Sequence, residues 1–345
     1  MRDAASTWRP DGQEGFSAAE ALVATALTLV VVLAALGTFS QAVQLTDMAR
    51  RTSETNQELQ SALGLLVRDT MQAGQGIPLG GIPLPSGTGA TAINRPAPAG
   101  TSMTFPAGTD VLPAVSPGGG LGPVLNGIST DMFAVLMADP TLPISEWPLA
   151  SVAADGASAT MDARTQNVGP DAIRAGDLIL FSSALGNALQ MVTRTSAQVL
   201  FFEPGDAMNV NQRTAPQGTL LNLQSGPGTF PPMTATRVVL VSYYLDAVTD
   251  PAMPRLVRQR NMGSRLAIAL GVDDLQVTFD LIDGATNPSD VQALVAPQSP
   301  HQIRLVSLRL SGHAREGAAP GRTPYAHTVA TRVSLRSLSF LDRYR

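Results

Sequence analysis

The chain contains neither cysteine nor lysine. Without cysteine, disulfides, thiolate metal sites and a cysteine nucleophile are excluded together, so any extracytoplasmic domain must be held by packing alone. With lysine absent, all 23 basic residues are arginine, a preference that carries no function by itself. Against 27 acidic residues they leave a net charge of -4 and form no strong cluster, which excludes the electrostatic footprint of a nucleic-acid binder. Histidine is scarce. His301, His313 and His327 lack metal-ligand spacing and read as surface or loop residues. There is no G-x-S-x-G elbow, phosphate-cradling loop or dinucleotide fingerprint. Gly118-Gly119-Gly120 lacks a following helix with Lys or Ser/Thr and reads as a flexible linker. The expectation is a protein with no cofactor that is not an enzyme.

What is present is apolar. At 345 residues and 44% hydrophobic, the chain can supply a sizeable core. No charged residue occurs from Ala21 to Thr46, and the stretch ALVATALTLVVVLAALGTF has about the 20 residues a helix needs to cross a bilayer. Later apolar runs such as Val238 to Val241 are strand-length. A secretory signal would show a small-residue cleavage site after the apolar region, and none leads to a clean mature start. Instead, no proline occurs between Phe16 and Gln72, which permits one helix roughly 85 Å long at about 1.5 Å per residue. Its second half is amphipathic: Leu59, Ala62, Leu63, Leu66, Val67 and Met71 form a stripe suited to packing on a globular domain.

One carboxylate stands out, because Glu20 lies at the mouth of the apolar run, where an unpaired buried charge costs several kcal/mol. The segment Gly15-Phe16-Ser17-Ala18-Ala19-Glu20 resembles the class III signal of type IV prepilins: a short hydrophilic leader ending in Gly, then Phe, then Glu. The resemblance implies that a prepilin peptidase cuts between Gly15 and Phe16 and methylates the new amine of Phe16. It further implies that Glu20 pairs with the N-terminal amine of a neighbouring subunit during assembly. A Glu near a helix N-terminus is also favoured by the macrodipole. The sequence departs from the family in the small Ala18, Ala19 and Ala21, and in having no Pro in the span.

Gly and Pro concentrate between Gly74 and Pro232, predicting a loop-rich middle. The expected division is a leader at 1-15, a transmembrane helix at 16-40, an amphipathic continuation at 41-73, a Pro/Gly-rich solvated loop region at 74-130 and a β-rich head at 131-345. A strand is expected around Ser102 to Phe105. Met132 to Met137, Asp177 to Ser182, Ala188 to Thr195 and Gln198 to Glu203 read as short strands of a meander. Alternation predicts further strands at Val238 to Tyr244, at Leu275 to Leu281, and at Ile303 to Leu310 with Ile303, Leu305, Ser307 and Arg309 on one face. A last strand is expected at Thr328 to Leu338. Asp283-Gly284 reads as a hairpin turn rather than part of a calcium loop with Asp280, Asn287 and Asp290, and Asp273 and Asp274 as solvated acids.

The fold class is therefore α+β, a long N-terminal transmembrane and amphipathic helix packed on a mostly antiparallel sheet domain, as in pilins. Within that family, Leu63-Gly64-Leu65-Leu66-Val67-Arg68-Asp69, Gly176-Asp177-Leu178-Ile179-Leu180, Val272-Asp273-Asp274-Leu275-Gln276-Val277 and Thr331-Arg332-Val333-Ser334-Leu335-Arg336 are similar to segments of PilW-like minor pilins. The resemblance implies a subunit anchored once in the inner membrane with a periplasmic head, later part of a pilus serving adhesion or motility. Its partners would be other major and minor pilins, the peptidase and the inner-membrane assembly platform. A type II secretion pseudopilin is the alternative within the class, and a signal-anchored periplasmic binding domain the alternative outside it.

Overall fold

A computed structural model describes residues 15, 17–142, 144–313 and 326–335. The chain divides into two compact units, Met1–Ser53 and Glu54–Arg345. Helix α1, Ala18–Met71, is 54 residues long. An Ala- and Leu-rich stretch with no proline favours this conformation. Up to Leu45 its large apolar side chains stand exposed, Leu22 at 71% and Phe39 at 68%. The helix is long and apolar enough to cross a membrane.

In the second unit, Leu59, Ala62 and Leu66 enter the largest core cluster. The expected stripe is shifted at its end: Met71 is 49% exposed, while Asp69 and Thr70 are buried instead. Hydrogen bonding makes this possible, since the Thr70 hydroxyl donates to Leu66 O at 2.7 Å and Asp69 has two polar partners in the sheet. The helix exits through Gly74, at φ 78°, whose N–H donates to Leu136 O at 2.8 Å.

Seven two-residue strands follow: β1 (Ile82–Pro83), β2 (Asn94–Arg95), β3 (Met103–Thr104), β4 (Val111–Leu112), β5 (Val115–Ser116), β6 (Val124–Leu125) and β7 (Ile128–Ser129). Then come β8 (Phe133–Ala138), β9 (Ser151–Val152), β10 (Ser158–Thr160), β11 (Leu178–Ser183), β12 (Gly186–Met191), β13 (Arg194–Ser196) and β14 (Val199–Phe201). The C-terminal part holds β15 (Met233–Asp246), β16 (Arg255–Arg260), β17 (Arg265–Leu270), β18 (Val272–Leu281), β19 (Ile303–His313) and β20 (Ala326–Ser334). All pairings between these strands are antiparallel. The coarse α+β expectation is met.

Strand β15 organises the main sheet. Val238 pairs with both β8 and β11, and Val241 to Tyr243 with both β8 and β16, so β8 takes one edge while β11 and β16 share the other. Asn261 bridges the gap between those two, its side chain accepting from Leu240 N–H and donating to Gly176 O. Val239, Val241, Tyr243 and Leu245 point to the core shared with α1, β18 and β19, while Val238 and Leu240 point to a second core. With both faces covered, β15 is buried continuously from Arg237 to Asp246 and the expected alternation is lost.

The second core corrects the reading of 74-130 as a solvated loop. Ile82, Leu84, Ile93, Phe105 and Leu112 are buried against the far face of β15. The segment covers that face because an apolar sheet face left in water would cost about 25 cal/mol per Å². Nor is Gly118-Gly119-Gly120 a flexible linker. A Cβ on Gly118 would lie 2.4 Å from Met132 O and 2.5 Å from the Arg95 guanidinium. Met132 N–H donates to Gly118 O at 2.9 Å, and Gly120 N–H to the Asp131 carboxylate at 2.7 Å.

Further corrections concern strand partners. The expected meander is divided: β11 and β12 form a hairpin in the main sheet, but β14 pairs with β13 and β10 in another. Sheet β18-β19-β20 is as expected in content, with Leu275, Val277, Phe279 and Leu281 facing the core. A register shift at Asp280/Leu281 puts Ile303 on the buried face with Val306, Leu308 and Leu310, opposite to its expected side. Asp283-Gly284 does not make a tight hairpin; it opens the long connection from Ile282 to Gln302. There the Asp283 carboxylate caps the N–H groups of Ala285, Thr286 and Asn287. Asp274 is only 5% exposed and is bonded to Arg309, so it is not solvated.

Candidate functional site

The residues singled out for processing and assembly lie at the start of α1. Gly15 is exposed, with open space where a side chain would be added. Phe16, named for cleavage and methylation, lies outside the described residues. Ser17 and Glu20 form a reciprocal cap. Ser17 N–H donates to Glu20 Oε2 at 2.9 Å, the Ser17 hydroxyl donates to the same oxygen at 3.0 Å, and Glu20 N–H donates to Ser17 Oγ at 3.2 Å. With α1 starting at Ala18, Ser17 is the N-cap and Glu20 the third helical residue, the arrangement of a capping box. This role for Glu20, for which the Ser-x-x-Glu spacing is the available signal, was missed from sequence, and the carboxylate is exposed. The second oxygen, Oε1, has no partner among the described residues.

At the other end of α1 a polar cluster ties helix to sheet. Tyr243 Oη donates to Asp69 Oδ2 at 2.7 Å, and Arg258 Nη2 approaches the same oxygen at 2.7 Å. Burial pushes the Tyr243 hydroxyl far above its usual range, and the hydrogen bond to the Asp69 carboxylate adds to the effect. Tyr243 also stacks on Phe133, with centroids 5.5 Å apart. These partners are remote in sequence, and no local signal announces them.

The titratable residues considered for chemistry do not converge. His313 Nδ1 meets Asp273 Oδ2 at 2.6 Å, His327 lies on β20, and half-buried His301 is held below the usual imidazole range by burial and by nearby Arg304. Among the described residues no group of three His, Cys, Asp or Glu side chains is placed to hold a metal.

The geometry defines a coarse class: among the described residues, one long apolar N-terminal helix followed by an antiparallel, strand-rich region. No family model matches the chain, and no curated protein or solved structure matches it either.

Proposed function

We infer that the chain is a structural subunit of the type IV pilin class, a minor pilin cleaved after Gly15 and assembled into a filament or its tip through α1. The observation that carries this reading is Glu20, four residues beyond Phe16, at the head of an apolar helix whose large apolar side chains stand exposed up to Leu45. A helix that crosses the bilayer before assembly and meets other subunits afterwards needs such a surface. Among the described residues nothing engages Oε1 of Glu20, which leaves it to a neighbour's amine while Oε2 holds the cap. The large head supports a minor role, since it would be hard to repeat densely along a filament. The partners on this reading are other pilins, the prepilin peptidase and the inner-membrane assembly platform, with the head in the periplasm.

Mass spectrometry of the protein from cells expressing prepilin peptidase tests the proposal. The expected mature chain begins at Phe16 and carries an added methyl group. Gly15→Ala is expected to slow or block cleavage of the precursor. A chain that begins at Met1, or beyond the apolar run, overturns the reading.

The capping box favours a second reading, in which Glu20 serves only to start the helix of a signal-anchored periplasmic domain. The same measurement separates the two, because that domain would keep its N-terminus ahead of the span.

A further inference from the structure

The outer face of the β18-β19-β20 sheet holds an open cleft of about 540 Å³. Strand register builds its floor from two rungs. One runs Gln276, Arg309, Ala330 and the next Thr278, Ser307, Arg332, across β18, β19 and β20. Ala330 is the small member of this set, and its short side chain opens the depression between the two arginines. Diagonal neighbours on adjacent strands lie about 7–8 Å apart, close enough for both guanidinium groups to reach one ligand.

A wall is supplied by Asp290 and Gln292 from the connection between β18 and β19. It is fixed in place. Val291 exchanges both backbone hydrogen bonds with Phe279 at 2.9 Å, and Asp290 N–H donates to Asp280 Oδ1 at 2.9 Å. The cleft is thus formed by paired strands and a pinned segment.

Its polar groups retain unused capacity. Arg309 gives one N–H to Asp274 at 3.0 Å and Arg332 one to Asp290 at 3.4 Å, while both side chains are more than half exposed. Each guanidinium has five N–H donors. Ser307 Oγ is buried at the centre of the floor with no hydrogen-bond partner. Gln292 adds an amide, Gln276 only its carbonyl oxygen because its NH2 donates to Ser129 O and Asp274 Oδ1, and Asp290 the carboxylate oxygen not taken by Thr278 and Arg332. Among the described residues no aromatic side chain lines the cleft. β19 is paired on both edges, so the floor's central strand offers side chains rather than a free backbone for an added peptide strand.

We propose that this cleft binds a carboxylate-bearing saccharide, with Arg309 and Arg332 holding the carboxylate and Gln292, Asp290 and the Gln276 carbonyl oxygen meeting the ring hydroxyls. Planar guanidinium forks suit a carboxylate, and the mixed hydroxyl and amide lining suits groups that both donate and accept. Nothing in this proposal depends on filament assembly.

The test uses the full chain in a detergent without a sugar headgroup, titrated calorimetrically with an oligogalacturonate. Controls are its methyl-esterified, neutral form and a glutamate peptide of similar charge. The acidic saccharide is expected to bind, and esterification or Arg332→Gln to weaken binding at least about ten-fold. Arg332 is exposed, so its variant should keep the parent melting temperature. Absence of binding at millimolar oligogalacturonate overturns the proposal. So does equal binding of the ester, tighter binding of the glutamate peptide, or an Arg332→Gln affinity equal to the parent's.

Discussion

Tyr243 and Asp69, 174 residues apart, share a buried 2.7 Å hydrogen bond that fastens the lower part of α1 to the central strand of the head. Arg258 completes the contact from the neighbouring strand, with Nε 2.8 Å from the same carboxylate oxygen. Tyr243→Phe removes the hydroxyl and leaves the ion pair, so the expected loss is about 1–3 kcal/mol of head stability by chemical denaturation. The hydroxyl's folded pKa is raised, so its contribution is complete below the unfolded value of about 10 and is lost as pH rises beyond it. The parent should therefore lose stability in the alkaline range, and the Phe variant should show a flatter alkaline limb.

Asp246 contributes to the acid limb. Burial opposes its ionisation, but hydrogen bonds from Arg255, Thr249 and the N–H of Val248 outweigh burial and hold the carboxyl below its usual range. A depressed folded pKa stabilises above the unfolded value of about 3.9, and that contribution disappears as pH falls. Asp246→Asn should cost about 3 kcal/mol at neutral pH, the lower end for a broken buried pair because Arg255 reaches water. Melting curves from pH 7 to acid should converge for parent and variant.

Two substitutions separate the local role of Glu20 from its proposed intermolecular one. Glu20→Gln keeps an oxygen for the Ser17 N–H but removes the charge, whereas Ser17→Ala removes the hydroxyl half of the cap and keeps the charge. If pairing with an amine drives assembly, sheared filaments should lack the Gln variant and retain the Ala variant, both processed normally. Equal incorporation of both would leave the pairing without support.

Gly118→Ala tests the order of the segment after the helix. The added methyl would meet Met132 O and the Arg95 guanidinium, so a loss of about 1–3 kcal/mol is expected from overpacking. Limited proteolysis should cut this variant within 74-130 faster than the parent. An unchanged digestion pattern and melting temperature would mean that the glycine is not confined.

The sequence was most readable where one face of an element meets water. Leu275, Val277, Phe279 and Leu281 alternate because β18 has a single buried face. In β15 the same rule misled: the unbroken Val238-Val239-Leu240-Val241 run signals cover on both sides, and the cover comes from a region whose composition speaks only of irregular backbone. Ile82, Leu84, Ile93, Phe105 and Leu112 have no periodic spacing, since a chain without regular dihedrals imposes none. The shift that reorients Ile303 depends on a bulge, which leaves no mark in residue pattern. At the start of α1, spacing singled out Gly15 and Glu20 for the proposed processing and assembly, and the Ser17 cap could have been read from Ser-x-x-Glu in the same way. Asp69, Tyr243 and Arg258 could not, because only the folded topology brings them together.

Residues 54–71 of α1 belong to the same compact unit as the strands. A soluble fragment designed for crystallisation should therefore start near Glu54. Trimming to Gly74 would strip Leu59, Ala62 and Leu66 from the interior and leave a greasy trough, with Arg258 and Tyr243 deprived of their carboxylate. Such a truncation is expected to aggregate, whereas the longer fragment keeps its own lid.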